Sequence, residues 1–135
     1  MSDEPESSAD YRFAVDPRRG YLHLSVNGDN TAANVRRILR DVLAACAEHS
    51  CPRVLLEEHL IGPSLGTVEA FEIVSEGSRT TRPIVQQIAY VDTNPEHDSS
   101  LLEFVETVAV NRGVRIRVFA TVAEAEAWLA SLPSR

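Results

Sequence analysis

Apolar and polar positions along the chain follow two rhythms. In Tyr11 to Val15 (YRFAV) and Tyr21 to Val26 (YLHLSV) large apolar side chains recur at every second position, the period of a strand with one buried face. Asp16-Pro17-Arg18-Arg19-Gly20 between them is a run of turn formers, so the pair predicts an antiparallel hairpin. Asn27-Gly28-Asp29-Asn30 then breaks the chain. Val35, Ile38, Leu39, Val42, Leu43 and Cys46 recur at helical spacing, with Arg36, Arg37, Arg40 and Asp41 on the other face, which predicts an amphipathic helix of about four turns.

The second rhythm is strand, loop and helix in turn. Val54-Leu55-Leu56 is apolar on both faces, the pattern of a strand buried between layers. It stops in Glu57-Glu58-His59, turns through Gly62-Pro63 and restarts as a helix from about Thr67 to Gly77, with Val68, Phe71 and Val74 facing inward. Ile84 to Val91 reads as a further strand, and Asp92 to Asp98 as a polar loop of turn formers. Ser100 to Glu103 has capping-box spacing, and Leu101, Phe104, Val105, Val108 and Ala109 carry a helix to its stop at Gly113. Val114 to Phe119 is the next strand. Thr121 to Glu124 repeats the capping box before a last helix with Ala125, Trp128, Leu129 and Leu132 on its apolar stripe. Two strands followed by alternating helices and strands define an α/β protein with a single mixed, mostly parallel sheet, an antiparallel N-terminal hairpin and about four helices.

Length changes the picture little: 135 residues and 14.9 kDa fit one domain over residues 11–135. Residues 1–10 carry four acidic side chains and no basic one, lack apolar periodicity and read as an acidic disordered tail. The net charge of −7 argues against nucleic acid as a partner. All 13 basic residues are arginine, so Schiff-base and P-loop lysine chemistry are excluded. No run approaches the ~20 apolar residues of a membrane span and no signal-peptide pattern opens the chain, so the expected location is the cytoplasm. Cys46 and Cys51 are too few for a disulfide scaffold and have no zinc spacing; no cofactor motif is present.

Candidate chemistry gathers in two places. Ser64 and Thr67 stand where orphan N–H groups and the helix dipole favour an anion, so either caps the helix or carries a phosphate there. The carboxyl ends of parallel strands should form a polar rim of Glu57, Glu58, His59, Asp92 and His97, joined by Thr93 and Asn94. Paired carboxylates could share acid and base duties, and His59 with Asp92, His97 or Asp98 could hold a divalent cation, but no diagnostic spacing is present and no catalytic residue is assigned. His23 should point away from Leu22 and Leu24, His49 ends a helix, and Cys46 packs as a small hydrophobe. Cys51 would need a neighbouring charge such as Arg53 to be reactive. Trp128 and Phe119 are core anchors by spacing, and Arg36, Arg37 and Arg40 form a basic helix face.

The element order, together with Tyr21-Leu-His-Leu-Ser-Val-Asn-Gly28, the loop Gly62-Pro-Ser-Leu-Gly66 and the ending Val118-Phe119 followed by Glu124-Ala-Glu-Ala-Trp-Leu129, resembles the STAS domain of anti-sigma-factor antagonists. The likeness is strongest to its SpoIIAA-like branch, sometimes grouped with CRAL-TRIO lipid-transfer domains, and runs from Tyr11 to Leu132. It implies a non-enzymatic regulatory module that binds another protein, a kinase or an anti-sigma-type regulator, through Ile61, Gly62, Pro63, Ser64, Leu65 and Gly66, with a homodimer possible. In signalling members a serine at the start of the second helix is phosphorylated; Ser64 lies in the matching loop, preceded here by Gly62-Pro63 and followed by Leu65. The CRAL-TRIO likeness implies instead a small apolar ligand, such as a lipid, between helices and sheet. A hydrolase or metal enzyme would need Glu57, Glu58, Asp92 and His97 to converge.

Overall fold

The computed structural model describes residues 11–81 and 83–133. The acidic tail read at residues 1–10 lies outside the described residues. Five strands, β1 (Tyr11–Arg18), β2 (Tyr21–Asp29), β3 (Arg53–Ile61), β4 (Gln87–Asp92) and β5 (Arg115–Phe119), form one sheet in sequence order. Strand β1 is antiparallel to β2, and β2 to β5 run parallel. The register sets Val54 beside Ile88 and Ile116, and Leu56 beside Tyr90 and Val118, so the three apolar runs lie side by side in one layer.

Helices α1 (Ala32–His49), α2 (Thr67–Thr81) and α3 (Ser99–Asn111) make the three crossovers, and α4 (Val122–Ser131) ends the chain. Right-handed crossovers that always step in one direction leave their helices on one face of the sheet. There Leu22, Leu24, Val26, Val54, Leu56 and Leu60 pack beneath Ile38 and Val42 of α1 and Ala109 of α3 in the main core. On the other face α4 lays Ala125 and Leu129 on Leu55, Ala89 and Val91, and the Phe119 and Trp128 rings meet at 5.6 Å. Complete burial of Val54 and Leu55 explains why β3 begins apolar on both sides.

Several local expectations change. Strand β1 runs through Pro17 to Arg18, and the hairpin turns only on Arg19-Gly20; proline is tolerated because β1 is an edge strand with no ladder beyond it. The charged residues Glu57, Glu58 and His59 do not end β3. They stay in the strand because β2 pairs with it as far as Asp29 opposite Ile61, and because the Leu60 side chain is buried. Strand β4 starts at Gln87, since Ile84 and Val85 are held by the Thr81 carbonyl in the turn after α2, and Gln86 bonds to Pro52. Helix α3 is capped by Asp98, whose carboxylate accepts from Ser100 N at 2.8 Å, two residues before the capping box read at Ser100.

The largest difference is the face of α2. Val68 and Phe71, expected inward, are 71% and 39% exposed, whereas Ala70, Ile73, Ser78 and Thr81 are buried. Helix α2 has α1 and α3 as its main neighbours, and a Cβ at Gly77 would stand 3.5 Å from Leu39. Small residues allow that close lateral approach, and the larger ones are left outside.

Candidate functional site

Because side chains alternate along a strand, Glu57 and Glu58 leave β3 on opposite faces. Glu58 points beneath the helices and is 6% exposed. The Tyr90 hydroxyl, from the neighbouring strand, donates to its Oε1. Burial pushes the Glu58 carboxyl up to about 7; the Tyr90 hydrogen bond works against this rise and the charge of Asp92 adds to it. Tyr90 is held well above the ordinary phenol range, by burial first and then by the charge of Glu58. The sequence does not single out Tyr90. The signal is its place two residues before Asp92 on the same face of β4, but using it requires the register that sets β4 against β3.

Next to this pair, His97 joins three segments. Its Nδ1 stands 2.5 Å from Asp92 Oδ2 and its Nε2 stands 2.9 Å from the Gly62 carbonyl, with both side chains of the ion pair almost entirely buried. Each ring nitrogen faces an acceptor, so both N–H groups donate and the imidazolium is favoured. Burial lowers the His97 value, but the Asp92 hydrogen bond and the Gly62 carbonyl outweigh it and the net direction is upward. Asp92 also accepts from Asn94 N, and Asn94 donates to the Leu60 carbonyl, so the ends of β3 and β4 are tied together. Gly62 carries φ +112°, in the region L side chains rarely adopt, which is why glycine occupies the point where the loop turns to meet His97.

On the opposite face Glu57 Oε1 and Oε2 accept from His23 Nε2 and His59 Nε2, both at 2.8 Å. Burial would raise the Glu57 carboxyl, but the two histidine hydrogen bonds prevail and hold it below the usual carboxylate range. Thr93 Oγ1 lies 2.8 Å from His59 Nδ1 and 3.0 Å from the Glu58 carbonyl. The rim expected from the sequence is therefore two sites: Glu58, Asp92 and His97 under the helices, and Glu57 and His59 with His23 across the sheet. Glu57 does not meet the other three in one group. Among the described residues no three His, Cys, Asp or Glu side chains are grouped to hold a metal ion.

The loop from Ile61 to Gly66 leads into α2. Ser64, expected as one possible cap of that helix, turns instead to α3: its Oγ accepts from Asp98 N at 2.8 Å. The capping position falls to Gly66, whose carbonyl takes the first helical hydrogen bond, from Ala70. Thr67 is the exposed first residue of α2, and Asn30 Nδ2 anchors the loop through the Pro63 carbonyl at 2.8 Å. Ile61 at the start of the loop and Val68 on α2 are each 71% exposed, and the Phe71 ring meets Phe104 of α3 at 6.4 Å with the Arg112 guanidinium 5.1 Å above it. Phe71 and Phe104 are both partly open to water, so the outer side of α2 and α3 presents an apolar surface with a cationic edge.

Beneath α2 lies a cavity of about 150 Å³. Ala70, Ile73, Leu102, Val105 and Ile116 belong to its apolar wall, and Glu58, Tyr90, Asp92 and His97 to its polar end. The remaining candidates serve structure. Cys46 is core, its thiol pushed up to about 12 by burial and then by Cys51; Cys51 is half-buried beside the Arg53 carbonyl. Arg36 pairs with Glu76 of α2 at 3.3 Å, and Tyr11 donates to Asp41 of α1 at 2.6 Å.

The chain matches no protein-family model and no curated protein. Solved structures do match its shape. An anti-sigma factor antagonist from Mycobacterium paratuberculosis superposes with a TM-score of 0.53 at 14% identity, over 90% of this chain and 95% of that one. The unphosphorylated form of the anti-sigma factor antagonist SpoIIAA gives 0.53 at 12% identity, over 91% and 100%. An uncharacterised protein from Shewanella loihica with a SpoIIAA-like fold gives 0.52 at 14% identity, over 96% and 98%. The chain thus has the SpoIIAA-like α/β fold, as the resemblance in its sequence implies.

Proposed function

We propose that this protein is a non-enzymatic regulatory module that binds another protein through the Ile61 to Gly66 loop and the outer face of α2. The observation that carries this reading is the exposure of Val68 and Phe71 on α2 beside Phe104, since a surface that leaves large apolar side chains together in water gains by covering them. The names of the structural neighbours, anti-sigma factor antagonists, support the same class of role. Arg112 at the edge of the patch suits a partner with an acidic group beside its own apolar anchor.

Val68→Glu is expected to abolish capture of the partner from the source cell, while the melting temperature stays within a few degrees because Val68 is exposed. Undiminished capture by a folded Val68→Glu protein would remove α2 from the interface.

The regulatory step we assign to the same loop is phosphorylation, at Thr67 or Ser64. A phosphate on exposed Thr67 would bring roughly −1.5 to −2 charges to free N–H groups of α2 and close to Glu69, altering the field over the docking face. On Ser64 it would have to displace the Asp98 N–H bond. Mass spectrometry of the protein from its native cell is expected to find phosphate on one of the two; a loop unmodified under every growth condition would remove the switch and leave the binding module.

A further inference from the structure

The cavity beneath α2 combines a size and a chemistry that the partner surface does not use. Its volume of about 150 Å³ equals that of engineered apolar cavities that admit a benzene ring, and is too small to enclose a long acyl chain. Its wall is aliphatic, from Ala70, Ile73, Val105 and Ile116 among others. At the polar end, Asp92 and His97 already neutralise each other at 2.5 Å. Among the described residues only the Tyr90 hydroxyl hydrogen-bonds the Glu58 carboxyl group, at Oε1, and Glu58 is one of the residues that line the cavity. Among the described residues that line the cavity there is no arginine to receive a carboxylate or phosphate head. A buried carboxyl in a cavity wall calls for a donor, and most strongly for a cationic one.

We infer that this cavity binds a small amine bearing an apolar group of about six to eight heavy atoms, the ring or branched chain lying under α2 and the amine on Glu58. The size limit separates this ligand from a lipid, and the acidic polar end separates it from small carboxylic acids. Ligand site and partner surface share Ser64 and Leu65 of the loop but otherwise use opposite sides of α2, and the test below reads the ligand alone, so failure of one proposal does not imply failure of the other.

The test titrates the full chain with benzylamine, benzyl alcohol, benzoate and dodecanoate, followed by amide chemical shifts. Benzylamine is expected to bind saturably below about 1 mM, moving the amides of Glu58, Tyr90 and Ala70, with benzoate and dodecanoate at least about tenfold weaker. Glu58→Gln should weaken benzylamine by about tenfold or more, the loss of a charge-assisted hydrogen bond. Ala70→Leu, which fills the cavity from α2, should abolish binding; the ligand comparison on the natural chain decides the matter even where that variant does not fold. Absence of a saturable shift with benzylamine, equal binding of benzoate or dodecanoate, or unchanged benzylamine affinity in Glu58→Gln would each overturn the assignment.

Discussion

His97→Ala is expected to destabilise the protein by about 3 kcal/mol, enough to lower the melting temperature by roughly 10 °C for a domain of this size. The cost arises in two places. Asp92, whose side chain is 4% exposed, would lose the His97 partner on Oδ2, retaining the Asn94 amide on its other oxygen. The Gly62 carbonyl would lose the donor that holds the loop to the end of β4. Denaturant unfolding measures the first effect, and hydrogen exchange at residues 62–66 should report the second as faster opening of the loop. A double-mutant cycle with Asp92→Asn separates the pair from general damage, because the combined variant should lose less than the sum of the two. A loss below about 1 kcal/mol in His97→Ala would show that the pair behaves like a solvated surface bridge.

The second large effect is on pH dependence. Glu58 is raised in the folded chain from 4.5 to about 7, so the folded state holds its proton over a range where the unfolded chain has released it. Its contribution is therefore complete below about pH 4.5 and is lost as pH rises to about 7. His97 is also raised, so its contribution is complete below 6.5 and fades as pH climbs through its folded value. Both groups act in the same direction, and stability should fall between pH 5 and pH 8. Glu58→Gln removes one of them while keeping an oxygen for the Tyr90 hydroxyl. It should leave stability nearly unchanged at pH 4.5 and raise it by about 3 kcal/mol at pH 8, the free energy linked to the shift of that carboxyl. Urea unfolding at the two pH values checks this; parallel curves for both proteins across the range would refute a raised Glu58. The Glu57 carboxyl, held low by two histidines, works oppositely, its contribution being present above 4.5 and lost only as acid protonates it.

The element order and the single sheet were legible from periodicity, because apolar residues at every second position and at every third or fourth report which face of each segment is buried. Val54 to Leu56, apolar on both sides, announced a strand with helices above and below, and Thr121 to Glu124 announced the start of α4 through its capping pattern. The candidate site was legible only in part. Asp92 and His97 stood out as polar residues at a strand end, yet their pairing, and the Gly62 carbonyl that completes it 35 residues earlier in the chain, depend on how two loops fold back on each other.

Two decisions lay wholly in the tertiary structure. Charge in Glu57-Glu58-His59 resembles the end of a strand, but pairing with β2 carries β3 onward and so sends one glutamate into the core beside Tyr90 and the other to two histidines across the sheet. Likewise Val68, Phe71 and Val74 make as plausible an inward stripe on α2 as Ala70, Ile73 and Val74. Only the narrow space between α1 and α3 selects the smaller side chains for the interior, leaving Val68 and Phe71 in water and an apolar hollow under the helix. Local sequence determines which segments are helix or strand because that depends on neighbours a few residues away; which side of α2 faces in, and what Glu58 meets, depends on segments that only the assembled sheet brings together.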